Sequence, residues 1–363
     1  MPAAEMTGRE RVQTILRRQI PDRIGLDESF WGDTVPSWID QGYPKGVAPW
    51  KHFNLDIVRA AMGSHAAFHG RSQLIEETEE WRIVKDGNGA TMRSWKNRTG
   101  VPEHLGFDIV NGDVWRRQYR EATRAFDPKR LNLDAMREAR QAAAENDKFF
   151  CFTGVEVFEI GKNYAGHEHM CIGMAEDPDW IHDMFDSFIE MQIQNFAFAF
   201  EKIGLPDGIW LFGDIGFKNR PFISLAMYRE LVLPHNKRLI DFFKSKGLPV
   251  IFHSCGFIEP LVPGFIETGI DMLQAMEVKA GCDLRRLKPL YGDKIGFMGN
   301  VDIRALETND LEKVEEEVRA KVLCGKEGGG YVFHTDHSVP SSVRYATYRF
   351  ALQKALEYGR YDR

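Results

Sequence analysis

From about residue 130 the chain repeats one unit: a short apolar run, a helical stretch, then another short apolar run. The runs are Phe149-Phe150-Cys151-Phe152, Gly208-Ile209-Trp210-Leu211-Phe212, Pro249-Val250-Ile251-Phe252, Asp271-Met272-Leu273, Ile295-Gly296-Phe297-Met298 and Tyr331-Val332-Phe333. Strands that are apolar throughout are buried on both faces, and helices between them return the chain to the same edge; together these imply a parallel sheet. Two earlier runs, at 23–28 and 54–61, bring the strands to eight. The expected fold is therefore α/β, a single (β/α)8 TIM barrel spanning 1–363 as one domain. A doubly wound sheet is the rival. No G-x-G-x-x-G follows an early strand, which weakens a dinucleotide-binding reading. The Gly328–Gly330 run precedes its strand and reads as a tight helix-to-strand turn.

Several helices are legible from their ends. Thr7 and Glu10 form a capping-box pattern ahead of Val12, Ile15 and Leu16, and Pro21 stops that N-terminal helix. Asp177-Pro178 opens a long helix closed by Gly204, and Ser224 caps one that Gly247 ends. Residues 76–116 differ in character. Trp81-Arg82-Ile83-Val84-Lys85 runs into Asp86-Gly87-Asn88-Gly89, a β-hairpin turn, so this stretch is expected to be an antiparallel hairpin insertion serving as a lid or a homodimer contact.

Composition narrows the function. Lys plus Arg is 47 and Asp plus Glu is 53, a net charge of −6, which argues against nucleic acid as partner. No apolar run approaches the ~18 residues of a membrane span, and no apolar h-region of a secretory signal is expected at the start. Five cysteines in so long a chain are no disulfide scaffold; a reducing cytoplasm fits.

Barrel active sites gather at the C-terminal strand ends, and here those ends are polar. Glu156 and Glu159 follow the run at 149–155, and Asp214 follows 208–213. His253-Ser254-Cys255-Gly256 closes 249–252, and Glu277 follows 271–275. Gly299-Asn300-Val301-Asp302 closes 295–298, and His334-Thr335-Asp336-His337 closes 331–333. His253 and Cys255 are two apart on an extended segment, so their side chains point the same way. Imidazole with thiolate is a zinc-type pair. A third ligand has to come from His337, His334, Glu277 or Asp214. The plainer alternative makes His253 and Cys255 packing residues, and Asp214 and Glu277 helix caps or structural ion pairs. His167, Glu168 and His169 read as a solvated loop. G-x-S-x-G, P-loop, H-E-x-x-H and C-x-x-C patterns are lacking.

Thr7-Gly8-Arg9-Glu10-Arg11-Val12 with Pro21-Asp22-Arg23-Ile24, His253-Ser254-Cys255-Gly256, Gly299-Asn300-Val301-Asp302 and His334-Thr335-Asp336-His337-Ser338-Val339-Pro340 resemble the uroporphyrinogen decarboxylase superfamily over almost the whole chain. The resemblance implies a (β/α)8 barrel that is either a decarboxylase or a zinc-using, corrinoid- or thiol-linked methyltransferase. The decarboxylases carry substrate-holding arginines near the first strand and an Asp at the end of the second. Here the first stretch, Ile24 to Trp31, holds Asp27 and Glu28 and no arginine, and Arg59-Ala60-Ala61-Met62 holds no carboxylate. The methyltransferase branch has H-x-C on one strand, met by His253 and Cys255, and a distal Cys where this chain has His337.

The resemblance thus implies a zinc-dependent methyltransferase moving a methyl group from a small methylated substrate, such as a methyl aryl ether, to a corrinoid protein. Cobalamin would sit on that partner, since no D-x-H-x-x-G is present here. His253, Cys255 and His337 are the implied zinc ligands. Asp214, Glu277, Glu156 and His334 are the implied acid or orienting groups, and Asn300, Asp302 and Asp27 the implied substrate contacts. The alternative is a metal-free decarboxylase-type lyase acting on a non-porphyrin acid, with His337 and Asp214 as acid and base.

Overall fold

The first helix, Gly8–Leu16, seals one end of the barrel. In the computed structural model, which describes residues 5–97 and 100–361, the Thr7 hydroxyl accepts the Glu10 N–H at 3.1 Å and the Glu10 carboxylate accepts the Thr7 N–H at 2.9 Å. This reciprocal capping box satisfies two backbone donors that a helix start leaves unpaired. The apolar face of the helix, Val12, Ile15 and Leu16, packs into a buried cluster with Ile57, Phe149, Cys151, Trp210, Ile251, Met272, Met298 and Val332. Those eight residues come from seven strands, so the N-terminal end of the barrel is filled and chemistry is confined to the other end.

Twelve strands follow in chain order: β1 (Gly25–Leu26), β2 (Ile57–Ala61), β3 (Gln73–Glu77), β4 (Trp81–Lys85), β5 (Ala90–Trp95), β6 (Glu103–Phe107), β7 (Phe149–Val155), β8 (Gly208–Phe212), β9 (Val250–Ser254), β10 (Met272–Ala275), β11 (Gly296–Gly299) and β12 (Tyr331–Phe333). Strands β1, β2 and β7–β12 form one parallel sheet in the order β1-β12-β11-β10-β9-β8-β7-β2. Each neighbours the next in sequence, and the last, β12, pairs with the first, Gly25 opposite Val332. A doubly wound sheet would reverse direction midway; this one curls into a TIM-like barrel.

Where β1 and β2 meet, Asp56 stands in for a ladder. Its N–H reaches the Leu26 carbonyl and its Oδ2 accepts the Leu26 N–H, both at 2.8 Å. The same buried carboxylate takes Arg11 Nη1 at 2.8 Å, Arg23 Nη1 at 2.8 Å and Arg23 Nη2 at 3.1 Å. The outer layer is helical; on Pro178–Ile203, Met184, Phe185 and Phe188 are fully buried against the sheet. Among the described residues no helix is long and apolar enough to cross a membrane.

Two expectations need correction. The insertion is a four-stranded antiparallel sheet, β3-β4-β5-β6, and not a single hairpin. The Asp86–Gly89 turn does join β4 to β5, with Trp81 opposite Trp95. The outer strands escaped notice because Gln73–Glu77 is exposed throughout and Glu103–Phe107 is mostly so, leaving no apolar alternation to detect. Second, His167, Glu168 and His169 lie on the helix Val157–Glu176. That helix kinks at Gly166, whose φ of 72° suits glycine and whose missing side chain leaves room for the Phe107 ring at the end of β6. The Gly328–Gly330 turn is as expected, with φ of 68°, 83° and 75°.

Candidate metal centre

Side chains alternate along a strand, so the residue two places beyond each buried inward residue faces the open end of the barrel. From Ile57, Cys151, Trp210, Ile251, Met272 and Val332, and from Gly25 packed against Val332 and Ile15, this rule gives Arg59, Thr153, Phe212, His253, Gln274, His334 and Asp27. Contacts between neighbours bear it out. Arg59 lies over the Trp210 ring at 4.2 Å. Phe212 stacks on His253 with centroids 4.8 Å apart. Gln274, directly opposite His253 in the β9–β10 register, accepts a hydrogen bond at Oε1 from His253 Nδ1. Its Nε2 lies 3.5 Å from His334 Nδ1.

That bond to Gln274 fixes the His253 tautomer. With Nδ1 donating to Gln274, Nε2 is the nitrogen that faces the cluster, and its proton is the one a metal would replace. Nε2 stands 3.3 Å from Cys255 Sγ and 3.3 Å from Asp214 Oδ1. Among the described residues, Asp214, His253 and Cys255 form the one group whose ligand atoms lie within 4.8 Å of one another. The chain brings them together by crossing two loops. Gly216 and Gly256 pack backbone to backbone, where a side chain on either would collide, and Phe217 bridges to Phe257. Asp214 Oδ1 also accepts the Cys255 N–H at 2.9 Å. Behind it, Glu159 Oε2 accepts the Asp214 N–H at 3.1 Å and pairs with Lys162 at 2.5 Å.

This donor set fits zinc. Bonds of ~2.0–2.3 Å at tetrahedral angles separate neighbouring ligand atoms by about 3.3–3.6 Å, and the two separations from Nε2 lie at that edge length. The charges fit as well. Burial by itself would raise the Asp214 carboxyl, but the bond to His253 outweighs it and holds the group down at about 2. Burial likewise opposes charge on His253, yet the Cys255 sulfur and Asp214 raise it well above an ordinary histidine, while burial pushes the Cys255 thiol up. The cluster therefore calls for positive charge, which a divalent cation supplies in place of the proton.

The remaining expected residues divide. Glu277 joins the site, its Oε2 accepting the Gly256 N–H at 2.9 Å. His334 and Asp27 line the mouth. His334 is buried, with Nδ1 3.1 Å from Glu28 Oε1; burial holds its pKa down at about 3 and pushes Glu28 up to about 8, so both are neutral at pH 7.

His337, the expected third ligand, is not in this group, whose third member is Asp214. The Asp336 carboxylate takes the Val278 and Ile303 N–H groups at 2.8 Å each, and Thr335 Oγ1 binds the His337 carbonyl at 2.6 Å. These bonds turn the chain, and His337 stacks instead on Trp31 at 5.7 Å. Glu156, Asn300 and Asp302 are committed to structure. Glu156 caps the helix Val157–Glu176 through the Phe158 and Glu159 N–H groups and takes Asn236 Nδ2 at 3.0 Å. Buried Asn300 is saturated by the Leu284 N–H, Lys321 Nζ and the Met276 and Cys282 carbonyls. Asp302 caps Ile303–Glu307 and pairs with Arg304 at 2.7 Å.

Arg59 and Gln274 are the mouth residues that sequence reasoning passed over. The alternation rule, carried two places past Ile57 and Met272, would have found both. An arginine is thus present in the mouth after all, from β2, facing an acid from β1.

A family model described as uroporphyrinogen decarboxylase matches residues 158–358. The methylated-thiol–coenzyme M methyltransferase of Methanosarcina mazei is 26% identical over 185 residues, 50% of this chain and 47% of the relative. The uroporphyrinogen decarboxylase of Chlorobium luteolum is 29% identical over 204 residues, 54% of this chain and 53% of the relative. The chain spans about half the length of these curated relatives. A solved methyltransferase from Methanosarcina mazei superposes with a TM-score of 0.65 at 15% identity, covering 97% of this chain and 99% of that one, which shows a shared fold.

Proposed function

The chain belongs to the uroporphyrinogen decarboxylase family, and from there we propose that it is a zinc-dependent methyltransferase that moves a methyl group from a small methylated substrate, such as a methyl aryl ether, to a corrinoid protein. The observation that carries this reading is the Asp214–His253–Cys255 group, whose ligand atoms all lie within 4.8 Å of one another, with Nε2 3.3 Å from each of the other two and turned inward by the bond to Gln274. A methyltransferase among the relatives supports the same branch. The lyase alternative needs His337 and Asp214 as acid and base, whereas Asp214 is engaged by His253 and Cys255 and His337 stacks on Trp31.

Asp214, His253 and Cys255 would hold a zinc ion, which would supply Lewis acidity to the atom from which the methyl group departs. The chain does the rest. Gln274 keeps a proton on His253 Nδ1, and Phe212 covers the imidazole face and keeps water from it. Glu277 holds the Gly256 N–H, and with it the backbone carrying Cys255. Neutral His334 and Glu28 close the floor without adding charge. The corrinoid partner would dock over the mouth with its cobalamin.

The test is transfer. Zinc-loaded protein is mixed with cob(I)alamin and a panel of methyl aryl ethers and thioethers, and methylcobalamin is followed by absorbance. The expected result is methylation that disappears in Cys255→Ala. Turnover that needs neither metal nor corrinoid and releases carbon dioxide from an acid would replace this reading with the lyase.

A further inference from the structure

Arg59 is the one permanent cation among the side chains that point from the strands into the mouth. It is positioned with care. Its guanidinium lies over Trp210 at 4.2 Å, which fixes the plane of the fork. Nη2 donates to the Glu28 carbonyl at 3.1 Å and to Ser29 Oγ at 3.0 Å. Both bonds use the same nitrogen, and guanidinium has five N–H donors. Among the described residues neither Nε nor Nη1 has a protein acceptor, and the side chain keeps a quarter of its surface exposed. Asp27 Oδ2 forms an ion pair with the same Nη2 at 3.4 Å and, though buried, has no hydrogen-bond partner, so this pairing too leaves Nε and Nη1 free. A rigid, half-free guanidinium beside a poorly satisfied counterion is a built receptor for an oxyanion, because bidentate pairing needs two parallel donors in one plane.

We propose that Arg59 is the specificity residue of the site, selecting methyl donors that carry a carboxylate and delivering the other end of the molecule to Asp214, His253 and Cys255. The proposal rests on the reading of the mouth as the reaction site. Arg59 on β2 and His253 on β9 are three strands apart. Strands ~4.8 Å apart and tilted ~36° place third neighbours about 14 Å from each other across an eight-stranded ring.

Direct binding tests this without requiring turnover. Calorimetry is run on zinc-loaded wild type, Arg59→Gln and Arg59→Lys with acetate, benzoate and 4-methoxybenzoate, and with neutral 4-methoxybenzamide. The expected result is that wild type binds at least one carboxylate, with 4-methoxybenzoate favoured over its amide. Arg59→Gln should then weaken the acid by about tenfold or more, Arg59→Lys should fall between, and amide binding should not change. Zinc content and melting temperature, unchanged in both variants, separate lost recognition from lost folding. Acid binding that survives Arg59→Gln, equal binding of acid and amide by wild type, or no carboxylate binding at all would overturn the proposal. None of these outcomes depends on methyl transfer to cob(I)alamin, which judges the functional reading separately.

Discussion

Replacing Gln274 by Leu removes the acceptor of His253 Nδ1 while keeping the side-chain volume in a buried position. The imidazole then has two courses. It can keep its Nδ1 proton with no acceptor, which costs roughly 1–3 kcal/mol for a buried donor. Or it can move the proton to Nε2, the atom that faces Cys255 and Asp214 at 3.3 Å each, and lose its lone pair there. Zinc needs the first form, so a protein that has taken the second must give it up on binding. The expected loss is therefore about 1.4–2.7 kcal/mol, or 10- to 100-fold in zinc affinity, as for other outer partners of metal-bound histidines. The other contact of Gln274, at 3.5 Å to His334, is too long to add much. Gln274→Glu retains the acceptor and should bind zinc at least as tightly as wild type. Competition with a chromophoric chelator gives the affinities, and thermal melting confirms that each variant is folded. A Gln274→Leu protein whose zinc affinity stays within about twofold of wild type would refute the reasoning that this bond aims Nε2 at a metal.

The seam of the barrel should be fragile at Asp56: Asp56→Ala strands Arg11, Arg23 and the Leu26 N–H without their acceptor and should cost about 3–5 kcal/mol in denaturant unfolding; a loss under about 1 kcal/mol would mean that the ladder alone holds β1. The pH dependence of stability should carry the mark of Glu28, raised by burial from 4.5 to about 8. The folded state keeps a proton that the unfolded chain releases, so this contribution is complete below about pH 4.5 and is lost as pH rises to 8, a fall of a few kcal/mol. Glu28→Gln should flatten the fall, leaving the smaller parts from Asp27 and Glu156, which titrate at about 6 and about 7; parallel stability curves for the two proteins would contradict it.

What the sequence reveals here follows from how local each signal is. The strand rhythm and the Thr7–Glu10 capping box depend on neighbours in the chain, and they translate directly into structure. His253 and Cys255 were legible as a pair because both lie on one strand end. The third member of the group was not, because its choice is settled by tertiary turns. The Gly216–Gly256 crossing carries Asp214 inward, and the bonds of Asp336 and Thr335 carry His337 outward. Asn300, Asp302 and Glu156 look catalytic in sequence because polar residues at strand ends serve equally as helix caps and loop anchors. Only their saturated hydrogen bonds tell the roles apart. Arg59 was hidden in plain alternation, one residue among the apolar ones of β2. The outer strands of the insertion, exposed and polar, carry no periodic signal to read.

Metal content measured together with ligand identity tests the zinc site most directly. Protein purified without chelators, and three variants of it, are analysed for bound zinc by atomic emission. The prediction is about one zinc per chain in wild type, lost in Cys255→Ala and in Asp214→Ala and retained in His337→Ala. Wild type that binds no zinc when micromolar zinc is supplied, or zinc that survives Asp214→Ala but is lost in His337→Ala, would contradict the site assembled here.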